Sequence, residues 1–308
     1  MASAIRLITF PGAPNLPIFI AQRDGLFERY GIEVDMSTTP SSIYQFEQLA
    51  AGSFDIVGTA FDNVVAYREN QGAADLDRPL AVSAFMGASQ IELSLISADA
   101  YPSLASLRGQ DIAMDALDTG FAFVAYDLLE NAGITSKEVS LRAVGATPQR
   151  LDAVKDGTHA ATLTIEPFTT MARASGCHVL GTSTEQYSHY QGGVFAARDS
   201  WLDTNPETVN GFVSAYRAAL DIVFDANQRA HCIETLLSNM PQIKPGLADK
   251  VMDKLLDPRT GLSRQASVSL PGIQSVLALR ERYHPKGSEL SDPDHYLRLH
   301  PSIVATTA

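Results

Sequence analysis

The sequence is poor in cysteine, with only Cys177 and Cys232 among its 308 residues. Two cysteines are too few for a disulfide framework, and neither stands at a spacing typical of metal ligands. We expect two buried free thiols and no metal site. A phosphate-binding loop ending in Gly-Lys-Ser/Thr, a Gly-x-Ser-x-Gly elbow and a His-Glu-x-x-His pair are also missing, and no cofactor is predicted.

Long apolar runs and basic runs are absent as well. No apolar segment is long enough to span a bilayer, so the protein is not expected to be integral to a membrane. Lys and Arg total 23 against 35 Asp and Glu, which gives a formal net charge of −12, and no basic run reaches five residues. Nucleic acid is therefore not an expected partner.

The first ten residues, MASAIRLITF, lead almost directly into a strand-like run. They lack the basic, apolar and small-residue regions of a secretory signal. Two localisations stay open: cytoplasmic if Met1 is the native start, and periplasmic or at the cell surface if a signal was removed.

The chain does contain a regular alternation of β-rich runs and helical segments. The run IRLITF is followed by a predicted helix over residues 16–29, then IEVDMST, a helix from Ser42 to Ala51, and FDIVGT. This order is typical of a parallel sheet covered by helices, and it predicts an α/β protein. A length of 308 residues with 45% apolar residues suits two domains.

Two adjoining strand signals, PLAVSAFMG and IELSLISADA, suggest that the chain crosses into a second lobe near residue 90 and begins a new βα cycle. It returns near YSHYQGGVFAARDSW and becomes mainly helical from Pro206 onward. We predict one lobe from residues 1–89 and 191–308, and a second lobe from residues 90–190. Two crossings form a hinge beside a cleft. The loops expected to face that cleft are Pro11–Pro17, Gly58–Asn63, Asp115–Gly120 and Thr164–Phe168.

Five segments of the chain, taken in order, are PIFIAQRDGLFERYGIEVDM, QLAAGSFDIVGTA, SLASLRGQDIAMDALDTGFAFVAYDLLENAGI, VGATPQRLDAVKDGTHAATLTIEPF and WLDTNPETVNGFVSAYRAAL. Together they resemble the substrate-binding proteins of nitrate, sulfonate and taurine type ABC transporters and the related thiamine-pyrimidine synthesis proteins. The resemblance covers most of the chain and implies a type II periplasmic-binding-protein fold: two α/β lobes with central mixed sheets, a two-crossing hinge and a helical C-terminal region. It also implies a small-molecule ligand, a monomer, and an ABC transporter membrane permease as a partner. The Cys-rich run of the pyrimidine synthesis enzymes is missing.

The stretch DALDTGFAF places Asp118, Thr119 and Gly120 at the start of a helix. By the resemblance, Thr119 and Gly120 face the acidic group of a ligand, for which free N–H groups and the helix dipole give a physical reason. The alternative is that Asp118 or Thr119 caps the helix. Asp115 and Asp118 add negative charge here, and the resemblance places Arg150 near the domain surface. The sequence thus favours a ligand with one carboxylate, or a neutral one, over a doubly charged oxyanion.

The first two cleft loops supply further candidates, each with a local alternative. Asn15 could bond a ligand or cap the first helix. Phe61 could stack on a flat ligand or pack in the core. Thr59, Asp62 and Asn63 stand beside it, where a strand ends and a helix opens.

Glu166 ends a buried-looking strand and could accept a ligand N–H, accept a proton, or cap the following helix. Gln90 stands at the first crossing, and Tyr187, His189 and Tyr190 stand at the second, where they could touch a ligand from either lobe. His189 is a candidate for acid–base work, although a lone histidine is often structural.

These observations favour a solute-binding protein that captures a small carboxylate or sulfonate with an apolar or aromatic body. The main alternative is a cytoplasmic enzyme on the same scaffold, a decarboxylase, isomerase or hydrolase that uses His189, Glu166 and Asp62. That reading requires at least two of the three side chains to meet at one point in the cleft. A ligand-sensing regulatory protein is a third reading.

Overall fold

The computed structural model describes residues 3–286, 290 and 292–307. One five-stranded sheet contains β1 (Ser3–Thr9), β2 (Ile32–Thr38), β3 (Ile56–Ala60), β4 (Val82–Ser89) and β10 (Gly193–Arg198), in the order β2-β1-β3-β10-β4. Strands β1, β2 and β3 are parallel, and β10 runs antiparallel to both β3 and β4. We call this sheet and the helices packed on it lobe I.

The second sheet contains β5 (Ser94–Ser97), β6 (Asp111–Met114), β7 (Ser140–Ala143), β8 (Ala161–Thr164) and β9 (His178–Thr182). Its order is β7-β6-β8-β5-β9, with β6 parallel to β7 and β8, and β5 antiparallel to β8 and β9. We call this sheet and its helices lobe II. Both sheets therefore share one plan, with a strand next to a crossing inserted antiparallel.

Helices cover the sheets and fill the C-terminal third of the chain. The early and middle helices are α1 (Leu16–Arg23), α2 (Leu26–Arg29), α3 (Ser42–Ala50), α4 (Phe61–Arg68), α5 (Gly120–Asn131), α6 (Thr147–Lys155) and α7 (Phe168–Ala174). The later elements are α8 (Asp199–Thr204), α9 (Pro206–Phe224), α10 (Arg229–Asn239), α11 (Ala248–Leu255), the short strand β11 (Val268–Ser269), α12 (Leu270–Tyr283) and β12 (Ala305–Thr306), which pairs with β11. The helix predicted over residues 16–29 is divided in two because Gly25 adopts the left-handed conformation, with φ of 65°.

The predicted fold class is confirmed: two lobes with mixed sheets are joined where β4 leads to β5 and where β9 leads to β10. The boundaries at residues 89, 90, 190 and 191 stay a prediction. Helix α12 contacts α4 of lobe I and α5 of lobe II, so it touches both halves of the molecule.

The core of lobe I is built around the longest helix, α9. Phe212 and Tyr216 of α9 lie against Phe195 of β10, with ring centroids 5.2 and 5.0 Å apart, and Phe212 also meets Phe85 of β4. Large aromatic side chains bury much apolar area, and this contact fixes the C-terminal helices to the first sheet. Among the residues that the structure describes, no helix is both long and apolar enough to cross a membrane.

Candidate functional site

A cavity of about 860 Å³, counting the space at its open mouth, lies between the two lobes. Each of the four loops predicted to face the cleft contributes to its lining. Most of the wall area is apolar, although polar side chains line the cavity in nearly equal number. Apolar walls with placed polar groups are usual for small-molecule sites. The apolar lining includes Phe10, Pro14, Ala60, Ala88, Ile91, Phe121, Ile165, Val194 and Phe195, and the polar lining includes Asn15, Thr59, Asp62, Asn63, Asp115, Thr119, Thr147 and Arg150.

The start of α5 is closed by a carboxylate from the other lobe. The Gly120 N–H donates to Asp62 Oδ2 at 2.6 Å, across the space between the lobes. The Thr119 side chain does not cap the helix; its hydroxyl donates to the Ala116 carbonyl at 3.2 Å instead. The Gly120 N–H is therefore bonded neither to a ligand nor to a local capping residue, the two alternatives expected from the sequence, but to Asp62.

Arg280 of α12 holds the same carboxylate through two parallel hydrogen bonds. Its Nε donates to Asp62 Oδ1 at 2.8 Å and its Nη2 to Asp62 Oδ2 at 2.7 Å. Nη2 also donates to the Asp118 carbonyl at 3.2 Å, and Nη1 to Gln71 Oε1 at 3.2 Å. Both charged side chains are buried, Arg280 at 0% and Asp62 at 1% exposure. We call Asp62, Gly120 and Arg280 the latch, because together they join lobe I, lobe II and the C-terminal helix.

The lobes touch at other points around the cavity. Asp115 of lobe II accepts the Ser42 N–H at the start of α3 in lobe I, with its oxygens 3.2 and 3.1 Å away. The Ala13 N–H donates to the Glu166 carbonyl at 3.2 Å, and the Ala146 N–H donates to the Pro40 carbonyl at 2.9 Å. Each lobe therefore supplies a carboxylate to a helix start of the other, and the cleft is closed.

Arg150 lies in the cavity wall, 2% exposed, and not at the domain surface where the resemblance had placed it. The expectation was wrong because α6 turns this side chain inward against β8. Its Nη1 donates to Thr162 Oγ1 at 3.1 Å and to the Leu163 carbonyl at 2.7 Å, and its Nη2 donates to Thr147 Oγ1 at 2.9 Å.

The charge of Arg150 has no partner of opposite sign in direct contact. In the described part of the chain it forms no ion pair with a carboxylate, and its buried Nε has no hydrogen-bond acceptor. Burial lowers the pKa of its guanidinium to about 10, an effect that the charge of Asp115 partly opposes. The group is cationic at neutral pH.

The structure places six of the thirteen predicted ligand-binding residues in the cavity wall: Asn15, Thr59, Asp62, Asn63, Thr119 and Gly120. Asn15 Nδ2 donates to the Phe10 carbonyl at 2.8 Å, and Asn63 Nδ2 donates to Thr59 Oγ1 at 3.0 Å. The Asp118 side chain is exposed and contributes only its backbone carbonyl, to Arg280.

Phe61 packs in the core and does not line the cavity. It is 0% exposed and its ring meets Tyr296 edge-on at 6.3 Å. Phe10, Phe121 and Phe195 line the cavity instead, and none of the three is predicted from the sequence as a site residue. A signal was available for two: Phe10 directly follows β1, and Phe121 stands in the first turn of α5, both within or beside loops predicted to face the cleft.

The three acid–base candidates do not line one common cavity. Asp62 is held in the latch, and Glu166 borders a smaller neighbouring cavity, where its carboxylate accepts the Thr170 N–H at 3.3 Å and the Thr170 hydroxyl at 3.1 Å. Burial raises the pKa of Glu166, and these two hydrogen bonds oppose the rise. His189 is exposed and lines none of the cavities described here.

The remaining crossing residues border a third, small cavity. The Tyr187 hydroxyl donates to Asp127 of α5, and burial raises the pKa of this phenol. The Tyr190 hydroxyl is buried without a hydrogen-bond partner in the described chain, and burial raises its pKa too. Gln90 Nε2 donates to Gln191 Oε1 at 3.4 Å. Among the described residues, no three His, Cys, Asp or Glu side chains are grouped so that they could hold a metal ion.

Two α/β lobes that enclose a cavity at a two-crossing hinge define the periplasmic-binding-protein fold. The chain belongs to the NMT1-like family, whose model matches residues 2–237. The resemblance found in the sequence is thereby confirmed for family and fold.

Similar solved structures include a protein from Bordetella bronchiseptica RB50, with a TM-score of 0.82, 18% identity and coverage of 97% of this chain and 96% of that one. The alkanesulfonate-binding protein SsuA from Xanthomonas axonopodis pv. citri bound to MOPS gives a TM-score of 0.71, 14% identity and coverage of 99% of both chains. These likenesses show the fold.

The nitrate import ATP-binding protein NrtC of Synechococcus elongatus is 26% identical over 271 residues, which cover 82% of this chain and 40% of that protein. The chain therefore spans about two fifths of the length of this curated relative.

Proposed function

We propose that the protein is the ligand-binding component of an ABC-type import system. It captures a small carboxylate or sulfonate with an apolar or aromatic body, in the cavity between the lobes. The observation that carries this proposal is the cavity, which takes residues from both lobes and combines apolar walls with convergent polar groups. Membership of the NMT1-like family and the names of the similar proteins, one alkanesulfonate-binding and one of nitrate import, support the same reading.

Closure of the lobes links binding to transport. A ligand between them is contacted from both sides, so it favours the closed arrangement over an open one. The closed outline of the two lobes is the signal that a membrane permease of the importer would read. On this proposal the protein acts as a monomer in the periplasm or at the cell surface.

A thermal-shift screen of the purified protein tests the proposal. The panel contains benzoate, benzenesulfonate, short alkanesulfonates, aliphatic carboxylates and pyrimidines, each at several concentrations. A true ligand raises Tm in a concentration-dependent way, because it binds the folded state and not the unfolded chain. Isothermal titration calorimetry then gives the Kd of each hit.

Chromatography after long incubation separates the proposal from the enzyme reading. We expect every hit to be recovered unchanged. A hit consumed by the wild type and spared by Glu166→Ala or His189→Ala would overturn the proposal in favour of catalysis. A panel in which nothing shifts Tm would contradict the proposed ligand class.

A further inference from the structure

Arg150 and Asp62 place opposite charges in different parts of the cavity wall. We propose that Arg150 receives the acidic group of the ligand, while Asp62 keeps that group away from the start of α5. This inference rests on the proposed function. It assigns the ligand one negative charge and an orientation, with the acidic group towards α6 and the apolar body against the aromatic side chains of the wall.

The first N–H of α5, that of Gly120, is taken by the protein's own carboxylate. Asp62 accepts from Gly120 at 2.6 Å and is neutralised by two hydrogen bonds from Arg280. The fit leaves no spare space, because a Cβ added to Gly120 would lie 2.7 Å from Cβ and Cγ of Asp62. A ligand carboxylate or sulfonate at this helix start would have to displace a buried ion pair and would meet the negative charge of Asp62.

Arg150, in contrast to the Gly120 N–H, still has hydrogen-bond donors without an acceptor. A guanidinium has five N–H donors, and three hydrogen bonds from Arg150 go to neutral oxygens of Thr162, Leu163 and Thr147. One N–H on Nε and one on Nη2 are left. In Arg280 the same two nitrogens, Nε and Nη2, hold Asp62 through parallel hydrogen bonds. Two such bonds match the spacing of the oxygens of a carboxylate or sulfonate.

The surroundings of Arg150 favour an anion of single charge. Arg150 stands in the first turn of α6, whose dipole adds positive potential at that end of the cavity. Asp115 lines the same cavity but is engaged by the Ser42 N–H, and it adds one negative charge nearby. The latch is neutral and Arg150 and Asp115 carry opposite charges, so the described lining of the cavity has no excess cation. A singly charged ligand depends on direct contact with Arg150, and a second charge on the ligand would have no cation to meet.

The aromatic side chains define where the ligand body lies. Phe10 comes from lobe I and Phe121 from lobe II, and both are partly exposed in the cavity wall. A flat or flexible apolar body between them would bury area on both lobes at once. The ligand would then contribute to closure through its body and to orientation through its acidic group.

Matched pairs of acids and amides test the inference by calorimetry on the full chain. The probes are benzoate with benzamide, benzenesulfonate with benzenesulfonamide, and the dianion phthalate. We expect the wild type to bind the better acid roughly 30-fold or more tightly than its amide, and phthalate roughly tenfold more weakly than benzoate. In Arg150→Gln the acid should weaken by roughly 30-fold while the amide changes less than about threefold.

Two further variants separate binding from folding. Arg68→Gln is the matched control, because Arg68 pairs with Asp199 at 2.9 Å and lines none of the cavities described here; it should leave both probes unchanged. Arg150→Lys keeps the charge, and it should weaken the acid while retaining the preference for acid over amide. If Arg150→Gln does not fold, the test rests on Arg150→Lys and on the preference of the wild type for acid over amide.

The outcomes are distinct. Equal weakening of acid and amide in Arg150→Gln, or no weakening, would show that Arg150 only braces α6 against β8. Tight binding of the amides with no preference for the acids would overturn the inference and leave a ligand-binding protein. Failure of every compound in both the screen and this set would contradict the proposed ligand class, and the inference with it.

Discussion

Two buried arginines flank the cavity wall, and their surroundings differ. Arg280 is fully buried and spends its Nε and Nη2 on Asp62, so its charge is cancelled inside the protein. Arg150 is also buried, but it bonds only neutral oxygens, so no carboxylate in direct contact cancels its charge. The difference teaches that burial alone does not assign a role: the identity of the acceptor separates a structural arginine from the one that we propose binds the ligand.

The stability of the latch depends on the balance between the desolvation of its two charges and the hydrogen bonds that they form. Removing two charges from water is costly, and a buried ion pair is not by itself evidence of high stability. Its geometry is favourable here, because the same carboxylate also closes a helix start and the guanidinium also holds the Asp118 carbonyl. What the latch provides is a defined closed arrangement of the lobes, which an apolar contact of the same size would specify less sharply.

The largest expected effect comes from removing one member of the latch. Arg280→Met leaves Asp62 buried without its cation, and we expect it to lower the free energy of unfolding by about 3–5 kcal/mol in urea titrations. The double variant Asp62→Leu/Arg280→Met removes both charges and should recover most of that loss. A double variant as unstable as the single one would show that the loss comes from packing and not from the unpaired carboxylate.

A smaller effect is expected from Gly120→Ala. Alanine is normally favourable in a helix, but here its Cβ would lie 2.7 Å from two Asp62 carbons, so the latch must open. We expect a loss of about 1–3 kcal/mol in the free energy of unfolding.

Gly12→Ala is the matched control for this clash, because the new Cβ would lie 3.3 Å from the flexible end of Ile165 and 3.3 Å from Pro14 Cδ. A loss equal to that of Gly120→Ala would mean that closure of the cleft in general, and not the latch, is sensitive to added volume.

The smallest expected effect concerns Glu166, a carboxylate that is not paired with an arginine in the described chain. Burial raises the pKa of Glu166 above its ordinary value of 4.5, so the folded state holds this proton more tightly than the unfolded chain. The stability it lends is therefore present at low pH and lost as the pH rises from 4.5 through the raised folded pKa.

Glu166→Gln stays neutral at every pH and does not undergo that loss. The Tm of Glu166→Gln minus the Tm of the wild type should be about 1–2 °C more positive at pH 7.5 than at pH 4 in calorimetric scans. The exposed Glu33→Gln is the control and should show no such pH dependence. A difference of opposite sign would mean that the two hydrogen bonds from Thr170 outweigh burial.

The fold could be predicted because its signals are local. Alternating β-rich and helical runs, two adjoining strands near residue 90, and the return near residue 190 predicted two α/β lobes and the loops between them. Cavity-lining positions such as Thr59, Asn63 and Gly120 followed from the rule that ligands lie beyond the carboxyl ends of strands.

The chemistry of the cavity wall could not be predicted in the same way. Asp62 and Arg280 are 218 residues apart, and nothing in the local pattern of either residue shows that they meet. The inward direction of Arg150 depends on how α6 packs against β8, and the burial of Phe61 depends on Tyr296, far along the chain. Side-chain direction is a property of the assembled lobes.

Arg280 also sets an order of events while the chain is being made. Synthesis runs from the N-terminus, and at 5–20 residues per second the ribosome needs roughly 10–45 s to cover the 218 residues between Asp62 and Arg280. Both sheets and every residue that lines the cavity are complete before α12 is added. Until Arg280 is made, closing the lobes over Asp62 would bury its carboxylate without a cation, so the latch can form only after the last long helix is added.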